Sequence, residues 1–135
     1  PRTMRQLRKC KIYTGLKRCQ HIRMMSPIGY HETIRLIEDA KMVLTDSGGV
    51  QKEAFWLKTP CITLRENTEW IETVQLQVNY LVGTDTQKIV ETAKAILEDE
   101  EDLSRRMKEL PNPFGGGKAS QRILRAIKTR LNELR

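Results

Sequence analysis

The apolar run Met42-Val43-Leu44-Thr45 breaks into Asp46-Ser47-Gly48-Gly49 and then into Val50-Gln51-Lys52-Glu53-Ala54. No other stretch limits the fold so tightly. A run this short and apolar suits a strand covered on both faces, and Gly48-Gly49 lets the backbone turn directly into a helix with no Cβ in the way. The turn leaves the first helical amides unpaired beside the Ser47 hydroxyl. Such a helix start binds anions, with phosphate the usual guest. Glu53 lies one turn beyond Gly49 on the same helical face. From there its carboxylate can accept from paired ribose hydroxyls while phosphates sit at the helix start. The same residues also fit a plain tight connection in which Asp46 or Ser47 merely caps the helix.

The rest of the chain alternates in the same way. A helical stretch runs from about Thr3 to Leu16, and a strand over His21 to Met25 ends at Ser26-Pro27. Helical periodicity spans Tyr30 to Ala40. After the strand Met42 to Thr45 and the helix Gly49 to Leu57, Lys58-Thr59-Pro60 forms a stop. Cys61 to Leu64 reads as a strand, Glu69 to Gln75 as a short helix, and Asn79 to Val82 as a fourth strand ending at Gly83. Two amphipathic helices close the chain, one marked by Ile89, Val90, Ala93, Ile96 and Leu97 and the other by Ile123, Leu124, Ile127, Leu131 and Leu134. Strands alternating with helices predict an α/β fold around a parallel sheet. The 135 residues are enough for one domain with a real core, spanning 1–135, with 118–134 as its closing helix. Pro111 to Gly117 is the only stretch that resembles a linker.

The formal net charge of +7 is unevenly spread, since no acidic residue precedes Glu32 and basic residues crowd both ends around an acidic patch at Glu98 to Asp102. A nucleic-acid-binding domain is one class this raises. Yet the basic segments carry only Tyr13 as an aromatic and match no DNA- or RNA-binding motif, so solvated helix faces are the better reading. Cys10, Cys19 and Cys61 are scattered, with no C-x-x-C pair, and His21 and His31 have no ligand spacing, so neither a disulfide framework nor a metal site is indicated. They read as buried or idle thiols. No apolar run has membrane-spanning length and Pro1 to Arg5 lacks the apolar core of a signal peptide, which makes a cytoplasmic protein the expectation.

In a parallel sheet, ligands gather at the carboxyl ends of the strands. Here those ends offer Ser26 to Tyr30, Asp46 to Gly49 and Arg65 to Glu69. The Arg65 cation, the amides of the Ser-Gly-Gly turn and the Glu53 carboxylate on one edge describe a nucleotide diphosphate site. Arg65 could equally be held in a surface ion pair with Glu66 or Glu69.

Taken together, the ordered motifs resemble the non-hydrolysing UDP-N-acetylglucosamine 2-epimerases, which are built from two Rossmann-like domains in the glycosyltransferase-B arrangement. The resemblance runs from Pro1-Arg2-Thr3, similar to the family's His-Pro-Arg-Thr without its His, through Ser26-Pro27-Ile28-Gly29-Tyr30, Leu44 to Ala54, Thr63 to Glu69 and Leu81-Val82-Gly83, to Asn112-Pro113-Phe114-Gly115-Gly116-Gly117-Lys118-Ala119-Ser120. It implies the C-terminal, UDP-binding half of such an enzyme. The implied reaction eliminates UDP together with the C2 proton of the sugar and re-adds UDP with the proton on the other face, without a redox cofactor. Ser47, Gly48 and Gly49 would hold the diphosphate, Glu53 the ribose, and backbone near Ile28 together with Tyr30 the uracil. No catalytic acid or base is expected in this chain, because the family's belong mostly to the other domain.

Two positions depart from the family pattern. Thr33 stands where an aromatic is often found three residues after Tyr30, and Thr68-Glu69-Trp70-Ile71-Glu72 replaces Thr-Glu-Arg-Pro-Glu, which shifts the cationic role from the Trp70 position to Arg65. Without the strands that precede Pro1 in the family, four strands would leave unpaired edges, unless His21 to Met25 moves inward or a second copy covers the gap. A homodimer, or the missing N-terminal domain, is therefore expected as partner beside the UDP-sugar. A non-catalytic nucleotide-binding or assembly module is the alternative reading.

Overall fold

The structure, a computed structural model, describes residues 2–133, and of Arg2 only the backbone. The chain divides into two compact units, 1–33 and 34–135. In the first, the helix expected over Thr3 to Leu16 is two helices, α1 (Arg2–Lys9) and α2 (Tyr13–Arg18). The break is at Lys11, which takes the left-handed conformation with φ 58°. There the Lys11 and Ile12 amides donate back to the Arg8 and Leu7 carbonyls at 3.1 and 3.2 Å, closing α1 as a Schellman motif. Glycine is the usual residue at such a position, so a lysine gives no stop signal in the sequence.

The strand expected at His21 to Met25 does not form. Ile22 and Met25 are 42% and 49% exposed. A strand exists only through its ladder, and among the described residues these have no partner for one. Three strands therefore stand among the described residues where four were expected, and the sheet gap is not closed from within by this segment.

The second unit holds the sheet. Strands β1 (Val43–Thr45), β2 (Cys61–Thr63) and β3 (Asn79–Leu81) are parallel in the order β1-β2-β3. Their register pairs Thr45 with Thr63 and Thr63 with Leu81, so the carboxyl ends are level. Helices α3 (Tyr30–Glu38), α4 (Gly48–Leu57), α5 (Ile71–Gln75) and α6 (Thr86–Glu98) follow the expected order. A further helix, α7 (Glu100–Glu109), occupies the acidic patch, and α8 (Ala119–Glu133) ends the described chain.

Patterning explains these elements. On α4, Gln51, Ala54 and Phe55 are the buried positions, spaced three and four apart. Leu103 and Met107 do the same on α7, whose first turn is acidic and last turn basic, in line with the helix dipole. One apolar cluster joins Phe55, Ile62, Val78, Val82, Ile96, Leu103 and Met107. On the opposite side of β2, Ile37, Ala54 and Cys61 form a second. Burying a side chain the size of Ile62 or Phe55 contributes roughly 1.5–3 kcal/mol. Cys61 is buried, which pushes its thiol up to about 11 despite contact with Thr63, so it stays protonated and inert at neutral pH. Cys10 and Cys19 are exposed.

Contrary to the reading of β1 as covered on both faces, Leu44 is 46% exposed. The cause is topological: β1 is an edge strand, and α6 packs over β2. α8 has no buried residue, so its apolar row Ile123, Leu124, Ile127 and Leu131 is bare. Among the described residues, no helix is long and apolar enough to cross a membrane.

The Schellman closure recurs at Lys58 after α4 and at Gln77 after α5, with φ of 63° and 56°. Gln77 is exposed, and a non-glycine residue pays a steric cost in this conformation. Gln77→Gly should raise stability by about 0.5–1 kcal/mol, to be read as a higher urea midpoint at constant m-value.

Candidate functional site

Because the three strand ends are level, Ser47, Arg65 and Gly83, each two residues beyond, lie along one edge. Ser47 caps α4: its Oγ accepts from the Val50 amide at 3.5 Å, and its own amide donates to Thr45 Oγ1 at 3.0 Å. Among the described residues the amides of Gly48 and Gly49 donate to nothing. Two orphan N–H groups thus stand at the positive end of a ten-residue helix. The capping hydroxyl that a plain βα connection requires is present as well, so the turn is capped while two of its amides stay unpaired.

Glu53 is half-buried one turn along α4, and no ion pair or side-chain hydrogen bond engages it among the described residues. Arg65 sits in the loop after β2, its guanidinium 3.3 Å from Glu69 Oε2 and 3.2 Å from Asn67 Oδ1. The surface ion pair anticipated for Arg65 is thus made, with Glu69. The space beside Gly48 where a Cβ would project is filled by the Glu69 carboxylate, and Trp70 Nε1 is 3.4 Å away. A Cβ at this position would have to push the Glu69 side chain aside. Ser47, Gly48, Gly49, Glu53 and Arg65 all belong to the second unit; Ile28 and Tyr30 belong to the first, where they are 42% and 63% exposed. Thr33, in the first unit too, turns its hydroxyl back to the Gly29 carbonyl at 2.9 Å.

Trp70, at the position where a cation was expected, has a structural task. Its indole N–H donates to the Gly48 carbonyl at 2.7 Å. Beside it, the Lys52 ammonium lies 4.0 Å from the Trp70 ring, 4.4 Å from Phe114 and 5.3 Å from Trp56. Phe114 meets the Trp70, Trp56 and Phe55 rings edge-on. Sequence reasoning singled out none of Lys52, Trp56 or the Phe114 ring as part of the site's support, although the spacing of Lys52 and Trp56, four apart on one helix, was a usable signal.

Below this layer runs a buried chain of polar side chains. Thr63 Oγ1 donates to Asn79 Oδ1 at 2.6 Å, Asn79 Nδ2 donates to Gln51 Oε1 at 3.1 Å and to Thr73 Oγ1 at 3.0 Å, and Thr68 Oγ1 donates to Gln51 Oε1 at 2.6 Å. The Trp70 amide then donates to Thr68 Oγ1 at 3.1 Å. The network ties α4, the sheet and the 65–70 loop together. No group of His, Cys, Asp and Glu that could hold a metal ion occurs among the described residues.

Trp70→Phe keeps an aromatic ring beside Phe114 while removing the donor to Gly48 and part of the ring face beneath Lys52. It should cost about 1 kcal/mol, measured by chemical denaturation, with a larger loss for Trp70→Ala.

The sequence model described as UDP-N-acetylglucosamine 2-epimerase matches residues 1–128. The UDP-N-acetylglucosamine 2-epimerase of Methanocaldococcus jannaschii is 41% identical over 127 residues, covering 94% of this chain and 33% of that protein. A UDP-2,3-diacetamido-2,3-dideoxy-D-glucuronate 2-epimerase from Pseudomonas aeruginosa is 43% identical over 109 residues, covering 81% of this chain and 28% of its own length. Among solved structures, the Methanocaldococcus jannaschii UDP-GlcNAc 2-epimerase in complex with UDP-GlcNAc and UDP superposes with a TM-score of 0.79 at 41% identity, over 96% of this chain and 34% of that one. The Neisseria meningitidis UDP-GlcNAc 2-epimerase bound to UDP-GlcNAc gives 0.73 at 31% identity, over 92% and 33%. The chain thus spans about one third of the length of these relatives. With a matching family model over nearly its whole length, the same parallel sheet with flanking helices, and the motifs in order, the chain belongs to the UDP-N-acetylglucosamine 2-epimerase family.

Proposed function

We propose that this chain is the UDP-binding part of a UDP-N-acetylglucosamine 2-epimerase of the glycosyltransferase-B type. The observation that carries the reading is the level edge of the sheet, where two unpaired glycine amides, an arginine and an unpaired carboxylate lie within one compact unit. Solved relatives hold UDP or UDP-GlcNAc. The amides of Gly48 and Gly49 with the Ser47 hydroxyl take the diphosphate, Arg65 supplies its cation, and Glu53 accepts from the ribose hydroxyls. Backbone near Ile28 and the exposed Tyr30 take the uracil.

The reaction is elimination of UDP with loss of the C2 proton, followed by re-addition with the proton on the opposite face. The overall change is an isomerisation, so no redox cofactor enters. These residues act on the leaving group: charge that develops on the departing diphosphate falls on amides already aimed at it, and the transition state gains more from them than the ground state does. The C2 base and the acid for the leaving group are assigned outside this chain. Alone it binds UDP without turning over the sugar.

The exposed row on α8, the bare Leu44 and the unpaired side of β1 call for a covering partner. We assign this to a second copy or to the N-terminal domain. Cytoplasmic residence fits such a reaction.

Glu53→Ala should weaken UDP binding by roughly 1.5–3 kcal/mol in isothermal titration. Unchanged affinity would remove the ribose assignment. In sedimentation equilibrium at micromolar concentration the chain should self-associate; a strict monomer would leave the N-terminal domain as the partner for these surfaces.

A further inference from the structure

Resting on the diphosphate reading of the α4 start, we infer that Glu69 is a resident competitor for that anion site and that Arg65 exchanges the Glu69 carboxylate for the ligand's phosphates on binding. The Glu69 carboxylate fills the space beside Gly48, the first residue of α4. It is held there by Arg65 Nη1 at 3.3 Å, while Asn67 Oδ1 accepts from Nη2 at 3.2 Å. A carboxylate at the positive end of a helix is stabilised by the same dipole that would stabilise phosphate, and here the glycine amides are left without an acceptor until a ligand supplies one.

The carboxylate and a diphosphate cannot share the face of Gly48, because both are negative and both draw on the Arg65 guanidinium. Binding therefore moves Glu69 aside. The exchange is inexpensive, since the two side chains are 38% and 50% exposed and an ion pair in water holds weakly. Arg65 needs little travel, as its other hydrogen bond, to Asn67, lies within the same loop. Until ligand arrives, the arginine is kept ordered beside the site and its charge is answered.

Removing either member of a purely structural ion pair gives effects of the same sign. A competitor and its exchange partner give opposite signs. In isothermal titration of the 135-residue chain with UDP, Glu69→Gln should tighten binding roughly three- to fivefold, while Arg65→Gln should weaken it about tenfold. Thermal melting of both variants, expected within a few degrees of the parent, confirms that the folded protein is compared. The same titrations with pyrophosphate separate the two readings. Opposite signs with pyrophosphate but no binding of UDP would keep the competitor and overturn the nucleotide assignment. UDP binding that Glu69→Gln leaves unchanged or weakens would keep the assignment and overturn the competitor, and failure to bind either ligand would overturn both.

Discussion

The acceptance of two hydrogen bonds by the buried Gln51 Oε1, from Thr68 and from Asn79, is the contact on which the rest of the site depends. Gln51 is wholly buried on the face of α4 that meets the sheet, so its amide must find partners inside the protein. Asn79 and Thr63 bring in β3 and β2, and Thr68 brings in the loop that carries Arg65 and Glu69. A helix held only by apolar contacts can slide or rotate by fractions of an ångström at little cost. Directional bonds at known positions remove that freedom and give the Ser-Gly-Gly turn a defined place relative to Arg65. The price is visible in Gln51 Nε2, a buried donor with no acceptor among the described residues.

On top of this layer sits an aromatic one, and the two are joined through Trp70. Its amide bonds to Thr68 below, its indole to the Gly48 carbonyl, and its ring to Phe114 and the Lys52 ammonium. The substitution that removes a guanidinium from this position therefore installs a clamp on the first turn of α4. Lys52 brings positive charge back to the neighbourhood by another route. It also draws the Asn112 to Gly117 loop into the arrangement, through a ring that touches three other aromatics.

Much of the 42–83 region was legible in the sequence because its signals are local. Short apolar runs, a Gly-Gly turn, a proline stop and a glycine after the last strand each act over a few residues, and the structure places β1, α4, β2, α5 and β3 within one or two residues of where these signals put them. What failed depends on distant partners or on unusual local chemistry. His21 to Met25 has strand-like residues and no ladder to join; the break at Lys11 uses a left-handed lysine where glycine would have announced it. The acidic start of α7 masked its Leu103 and Met107 pair, and the exposure of Leu44 follows from strand order, which no local pattern contains. At the site, the turn and Glu53 could be read from spacing. The Arg65–Glu69 pair was foreseen only as one option, and the packing of Lys52, Trp70 and Phe114 joins residues 62 positions apart, beyond the reach of any motif.

Both apolar clusters draw all their members from residues up to Phe114. Residues 116–133 are an appendage in the thermodynamic sense: α8 contributes no buried side chain, and its arginines and lysines stand in solvent. While that row has no partner over it, a protease specific for basic residues would accordingly trim the chain from its C-terminal side in several cuts, leaving a shorter product in which the sheet, α4 and the clamp over Gly48 persist.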